Sequence, residues 1–269
     1  MTLDVADFLD IGTLPCTLDG GVASRAAIGL IVLATDQTME YEYRTLMPAT
    51  GIGLYCTRVF NDADITPETL RAIGPRIAPA TELIMPGLDL DVIGFGCTAA
   101  TMAMGEDAIF REIRKVRPGI ECTTPITAAL AAFRAFEARR IGVITPYEPA
   151  VNEIVRAYLE DRGVHVAAFG TYNKMDDREA ARIDLDSIAQ GVAALAEATP
   201  LDAVFISCTS LRLAERLPEI EAATGLPVTS SDHAMAWHCL RLAGVDDAVA
   251  RAGRLFALPL KERGATLTS

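Results

Sequence analysis

Asp91-Val92-Ile93-Gly94-Phe95-Gly96-Cys97-Thr98 and Asp202-Ala203-Val204-Phe205-Ile206-Ser207-Cys208-Thr209 carry one pattern twice, with Asp, Cys and Thr in register. Each is a short apolar run ending in small and polar residues, the form of a strand buried on both faces in a parallel sheet. Working outward, Ile28-Gly29-Leu30-Ile31 matches Ile141-Gly142-Val143-Ile144, and Gly119-Ile120 matches Gly225-Leu226. The repeat predicts an α/β chain of two pseudo-symmetric lobes, residues 25–139 and 140–245, each a roughly four-stranded parallel sheet flanked by helices. Residues 246–269 are expected to pack back on the first lobe. Open α/β sheets bind ligands at the carboxyl ends of their strands, so the active site is expected in the cleft between lobes.

The strands are expected at Ile28 to Ala34, Gly53 to Phe60, Val92 to Cys97, Ile120 to Thr123, Ile141 to Thr145, Val164 to Phe169, Ala203 to Cys208 and Pro227 to Thr229. Helical periodicity falls near Pro67 to Ile84, Glu106 to Val116, Ile126 to Ala138, Ala150 to Arg162, Ser187 to Ala198, Arg212 to Ala223 and His233 to Leu242. Thr66-Pro67 reads as a helix start, and Gly163 and Gly225 as helix ends.

Composition narrows the function. Of 269 residues 51% are hydrophobic, which supports a large core, and 36 acidic against 24 basic residues give a net charge of -12. Such a charge repels phosphate backbones and anionic lipid surfaces, so neither nucleic acid nor membrane is an expected partner. No apolar run approaches the ~20 residues that span a bilayer. The first residues, Met1 to Asp7, lack the basic and apolar regions of a signal peptide, which points to the cytoplasm. Three histidines and six cysteines without a C-x-x-C or H-E-x-x-H pairing offer no metal ligand set.

The two Cys-Thr pairs stand where a strand's carboxyl edge meets a loop. Exposed backbone N–H groups there can hold a carboxylate and favour a thiolate. A single buried cysteine at such a place is ordinary core; two at equivalent places in two halves suit chemistry that takes a proton on one side and delivers one on the other. Cys16, Cys56, Cys122 and Cys239 are expected to be inert packing residues, and Trp237 a core or interface residue. Asp176-Asp177 reads as solvated surface.

Over about residues 25 to 245 the sequence resembles the Asp/Glu racemase superfamily, and within it the branch of maleate cis-trans isomerases and arylmalonate decarboxylases. The likeness rests on Ile28-Gly29-Leu30-Ile31-Val32 followed by Thr38-Met39-Glu40, on Gly96-Cys97-Thr98, on Val143-Ile144-Thr145-Pro146-Tyr147 and on Ile206-Ser207-Cys208-Thr209. Asp36-Gln37-Thr38-Met39-Glu40 and Ser207-Cys208-Thr209-Ser210-Leu211-Arg212 are most similar to the bacterial ectoine-utilisation proteins of that branch.

The resemblance implies cofactor-independent chemistry beside a carboxylate, with Cys97 and Cys208 as the catalytic pair. Thr35, Thr98, Tyr147 and Thr209 become candidates for holding the substrate carboxylate, although each Thr is equally explained by local capping. The decarboxylase type lacks the first-lobe cysteine, so Cys97 favours an isomerase or racemase. The pair can act as nucleophile and acid on a double bond, or as base and acid at one carbon. A homo-oligomer, dimer or larger, is expected by the same resemblance.

One departure bears on the substrate. The maleate-isomerase pattern has an asparagine where this chain has Asp36, and another near Asp176-Asp177. An amide donates to a carboxylate, whereas an ionised aspartate repels it. Asp36 is therefore a candidate acceptor for a substrate ammonium, as in an amino or diamino acid from ectoine breakdown, or else the cap of the next helix. An arylmalonate-type decarboxylase and a non-catalytic small-molecule binding protein are the competing readings.

Overall fold

The structure is a computed structural model that describes residues 9–62, 66–174 and 176–261. Among the described residues, eight strands form two parallel sheets. β1 (Ala26–Leu33), β2 (Ile52–Val59), β3 (Val92–Gly96) and β4 (Glu121–Thr123) lie in the order β2-β1-β3-β4. β5 (Arg140–Thr145), β6 (His165–Thr171), β7 (Ala203–Ile206) and β8 (Val228–Ser230) repeat it as β6-β5-β7-β8. The central strands β1, β3 and β7 are buried along their whole length, which is why they read as unbroken apolar runs.

The repeated aspartates have a structural duty. Asp91 accepts the backbone N–H of Ala27 at 2.7 Å, and Asp202 accepts those of Arg139 and Arg140 at 2.9 and 2.8 Å. Each carboxylate thus pins the start of its half's third strand to the start of the first. Register is set accordingly, with Ile28 beside Val92 and Ile141 beside Ala203.

The helices are α1 (Met39–Leu46), α2 (Pro67–Arg71), α3 (Gly74–Glu82), α4 (Thr98–Met104), α5 (Glu106–Val116), α6 (Pro125–Phe136), α7 (Pro149–Glu160), α8 (Asp177–Ala180), α9 (Leu185–Ala198), α10 (Leu217–Thr224) and α11 (Ser231–Leu242). Two sequence expectations fail at prolines. The helix expected from Pro67 to Ile84 is broken between α2 and α3, because Pro75 has no N–H for the carbonyl four residues back and its ring collides with it. Pro218 does the same to the helix expected from Arg212, which starts only at Leu217. Helices α1, α4 and α8 lie outside the helical ranges read from periodicity, α1 being the helix that Asp36 was a candidate to cap.

The last helix of each half crosses to the other half's sheet. Phe133 of α6 meets Phe205 of β7 edge to face, ring centres 5.6 Å apart. In return α11 lies on β3 and β4, where Met235 packs so closely over Gly94 that a Cβ there would stand 3.1 Å from its methyl carbon. His238 of α11 bonds Thr123 of β4 at 2.7 Å. Trp237 is fully buried, as expected of a core residue. Phe133→Ala is expected to cost about 3–5 kcal/mol of stability, read from urea midpoints. A loss under about 1 kcal/mol, inside the spread of ordinary surface changes, would mean that the crossing holds little.

The chain after α11 is strapped to it. The Arg241 guanidinium donates to the carbonyls of Val245, Phe256 and Leu258, and Trp237 Nε1 donates to Leu258 at 3.1 Å. Arg251 reaches the carbonyls of Thr45 and Met47 at the end of α1. Residues 262–269 of the C-terminal segment, and Met1 to Asp7 at the other end, lie outside the described residues. Among the described residues no helix is long and apolar enough to cross a membrane. Cys122 and Cys239 are buried, whereas Cys16 and Cys56 are exposed and so are not the packing residues expected of them.

Candidate active site

Cys97 comes directly after the last residue of β3 with an extended backbone and caps α4, its Sγ accepting the N–H of Ala100 at 3.4 Å. Cys208 stands two residues after β7. Its Sγ accepts the N–H of Ser210, also at 3.4 Å, but no helix begins there. Both thiols are buried. Tyr147, just past β5, is held from several sides. Its N–H donates to Thr145 Oγ1 at 3.3 Å, and its carbonyl accepts Asn152 Nδ2 at 2.9 Å and the Thr171 hydroxyl.

One cavity with about 440 Å³ of atom-free space, mouth included, is lined by Cys97, Cys208, Thr98, Tyr147 and Thr209. Five of the seven residues expected at the site therefore meet in one place. Leu33, Leu70 and Ile73 form an apolar wall, and Asn61, Asp62, Thr69, Ala99 and Asp177 complete the lining. No Lys, Arg or His is among these lining residues, while two carboxylates are.

Thr35 and Asp36 are not in the lining. Asp36 instead holds the start of α1, its Oδ1 accepting the N–H groups of Thr38 and Met39 at 2.8 and 2.9 Å. Of the two sequence alternatives for Asp36, its geometry is that of the cap. Burial raises its carboxyl pKa, and the two N–H groups oppose the rise. Thr35 supports the lining from behind. Its hydroxyl donates to Asp177 Oδ2 at 2.9 Å and accepts Asn61 Nδ2 at the same distance.

Asp177 was not among the expected site residues, although the maleate-isomerase pattern has an asparagine near Asp176-Asp177. It is half-buried and not the solvated residue expected, whereas its neighbour Asp176 caps α8 near the surface. Its carboxylate joins the halves, accepting the hydroxyl of Thr35 from the first and of Ser210, at 3.3 Å, from the second. Burial raises the Asp177 pKa, and these two donors pull it back down.

Electrostatics in the cavity favour neutral thiols. Burial pushes Cys97 up to about 12, the N–H of Ala100 opposes this, and the charges of Asp177 and Asp36 add to it. Burial also raises Cys208, Asp177 raises it further, and the Tyr147 hydroxyl and the Ser210 N–H favour its thiolate. A raised thiol pKa means less thiolate at any lower pH. Alkylation of Cys97 and Cys208 in the ligand-free protein, followed by peptide mass spectrometry, should therefore climb with pH without levelling below pH ~10. A plateau near neutral pH would show that the cavity already stabilises a thiolate.

A family model described as arylmalonate decarboxylase matches residues 103–256. The chain is 29% identical over 245 residues to an arylmalonate decarboxylase of Bordetella bronchiseptica, covering 87% of this chain and 98% of that one. It is 28% identical over 243 residues to a maleate isomerase of Nocardia farcinica, with 85% and 94% covered. Among solved structures, the maleate cis-trans isomerase of Nocardia farcinica is similar at a TM-score of 0.76 and 25% identity, covering 86% of this chain and 98% of that one. That structure is a cysteine-to-serine mutant with a covalently bound succinylcysteine intermediate.

Proposed function

The chain belongs to the arylmalonate decarboxylase family, in the Asp/Glu racemase superfamily, and from that membership we propose a cofactor-independent racemase or isomerase acting at the carbon beside a carboxylate, with Cys97 and Cys208 as acid and base. The observation that carries this reading is a single cavity lined by one strand-end cysteine from each half. One sulfur, as thiolate, removes the proton next to the carboxylate. The electron pair moves onto the carboxylate as an enediolate, and the other thiol returns a proton to the same carbon. The hydroxyls of Thr98, Thr209 and Tyr147 line the cavity and are the proposed donors to that developing charge, turning to it from Ser231, Asp36 and Cys208.

Charge decides the substrate class. With no cationic side chain in the lining and with Asp177 unpaired to any cation there, a second substrate carboxylate would meet repulsion, whereas an ammonium would find a partner in Asp177; Asp62 is exposed and paired with Arg76. An ammonium there also neutralises the Asp177 charge that adds to the effect of burial on both thiols, so the right substrate helps to make the thiolate that deprotonates it. An amino acid is accordingly the proposed substrate, and the similarity to ectoine-utilisation proteins makes a diamino acid the first to try. Asp177 takes the role that the sequence suggested for Asp36.

The family description favours decarboxylation as a second reading, with Cys208 as sole proton donor. Incubation of a panel of D- and L-amino acids, maleate and arylmalonates in D2O separates the two. Loss of the α-proton signal with inversion at that carbon supports the racemase. Carbon dioxide release from an arylmalonate with no exchange in any amino acid would replace it with the decarboxylase.

A further inference from the structure

The two halves differ in the stretch of chain after each cysteine. After Cys97 the backbone enters α4 at once, and its N–H groups find helical acceptors, Thr101 bonding the Cys97 carbonyl at 3.2 Å and Gly105 that of Thr101 at 2.8 Å. After Cys208 the chain stays irregular until α10 begins at Leu217, although Cys208 to Leu211, Leu213 and Ala214 are buried. Buried N–H groups without a helix must find acceptors elsewhere.

The first half supplies them. Glu42 of α1 is fully buried, and its Oε2 accepts the N–H groups of Leu213 and Ala214 at 3.0 and 2.9 Å. Thr38, at the cap of α1, donates its hydroxyl to the Thr209 carbonyl. Tyr41 donates to the Glu215 carboxylate at 2.6 Å. Residues 38, 41 and 42 share one face of a helical turn, so a single face of α1 grips the loop at both ends. The missing counterpart of α4 is replaced by a side chain from the opposite half.

We infer that Glu42 is a positioning residue for Cys208: through Leu213 and Ala214, and with Thr38 holding Thr209, it fixes the loop that aims the second thiol into the cavity. The inference rests on the proposed role of Cys208 for its effect on turnover, but not for its effect on the loop. It assigns Glu42 no contact with substrate, since Glu42 is absent from the cavity lining.

The test uses the full chain with Glu42→Ala, which removes the acceptor, and Glu42→Gln, which keeps a carbonyl oxygen for the two N–H groups. Iodoacetamide labelling at each cysteine, read by peptide mass spectrometry, needs no substrate. In Glu42→Ala, Cys208 labelling should rise at least about tenfold while Cys97 labelling stays level, and Glu42→Gln should return it close to the parent rate. A thiol displaced by about an ångström costs turnover on the order of 10²-fold, so kcat should fall by about that factor with KM little changed. Equal rises at both cysteines, no rise at Cys208, or no rescue by glutamine would overturn the inference. If Glu42→Ala fails to fold, Thr38→Val takes its place, with the same split between Cys208 and Cys97 expected and an equal change at both overturning the inference. A clear split in labelling in a protein that racemises nothing would keep the positioning role and discard the functional reading.

Discussion

Alanine at Cys208 is expected to lower kcat/KM by about 10²–10⁴-fold, the usual worth of a positioned acid or base, and alanine at Cys97 to do the same. The two variants should also fail differently from each other. With one sulfur left, deprotonation and return take place on one side only, so each variant should wash solvent deuterium into one enantiomer without inverting it. The enantiomer that exchanges should differ between them. A decarboxylase relying on Cys208 alone would keep its activity in Cys97→Ala, and a binding protein would keep its affinity in both variants. Full racemase turnover in both variants would end the two-cysteine mechanism.

Asparagine at Asp177 should change which substrate the enzyme accepts. A buried carboxylate facing an ammonium is a charge pair whose loss costs about 10²-fold or more in kcat/KM for an amino acid. For a dicarboxylate the same change removes repulsion and adds an amide donor, so activity on maleate should rise from whatever level the parent shows. Thr35 and Ser210 donate to different oxygens of Asp177, so the amide oxygen can keep one of them while the amide NH2 donates to the other hydroxyl, and the join between halves is weakened and not removed. Because the Asp177 charge raises the pKa of both thiols, the variant should label faster than the parent at Cys97 and Cys208 at any pH below their titration. Steady-state kinetics on matched amino and dicarboxylic acids checks the first part. An unchanged preference would remove Asp177 from substrate recognition.

The central strands β1, β3, β5 and β7 were legible because a strand buried on both faces leaves an apolar run that little else imitates, whereas the edge strands β2 and β6 are half-exposed and were placed by their position in the repeat. The aspartates in register marked a structural repeat, and Asp91 and Asp202 do serve strand registry, so the repeat reports architecture first and chemistry only at the cysteines. Thr35 and Asp36 occupy the expected edge of the sheet. Their side-chain directions were not legible, because Asp36 is turned by the nearby N–H groups of Thr38 and Met39, a local competition that spacing does not record. Asp177 was only partly legible: the family pattern pointed to the Asp176-Asp177 pair but not to which of the two faces the cavity. It opens a helix of four residues with no periodicity, and only Thr35, 142 residues earlier in the chain, shows that it faces inward. Leu70 and Ile73 reach the cavity wall because the chain is interrupted near Pro75, a break that an unbroken helix reading concealed.

The exchange of α6 and α11 between sheets has a consequence for how the protein is made. The first sheet is complete once β4 has left the ribosome, yet the helix that covers β3 and β4 is synthesised only after the whole second sheet. Until then an apolar face around Gly94 and Leu30 waits in water for Met235. The nascent N-terminal half is thus a sticky intermediate that cannot mature by itself, and it is there, before any chemistry begins, that holdase chaperones have the most to protect.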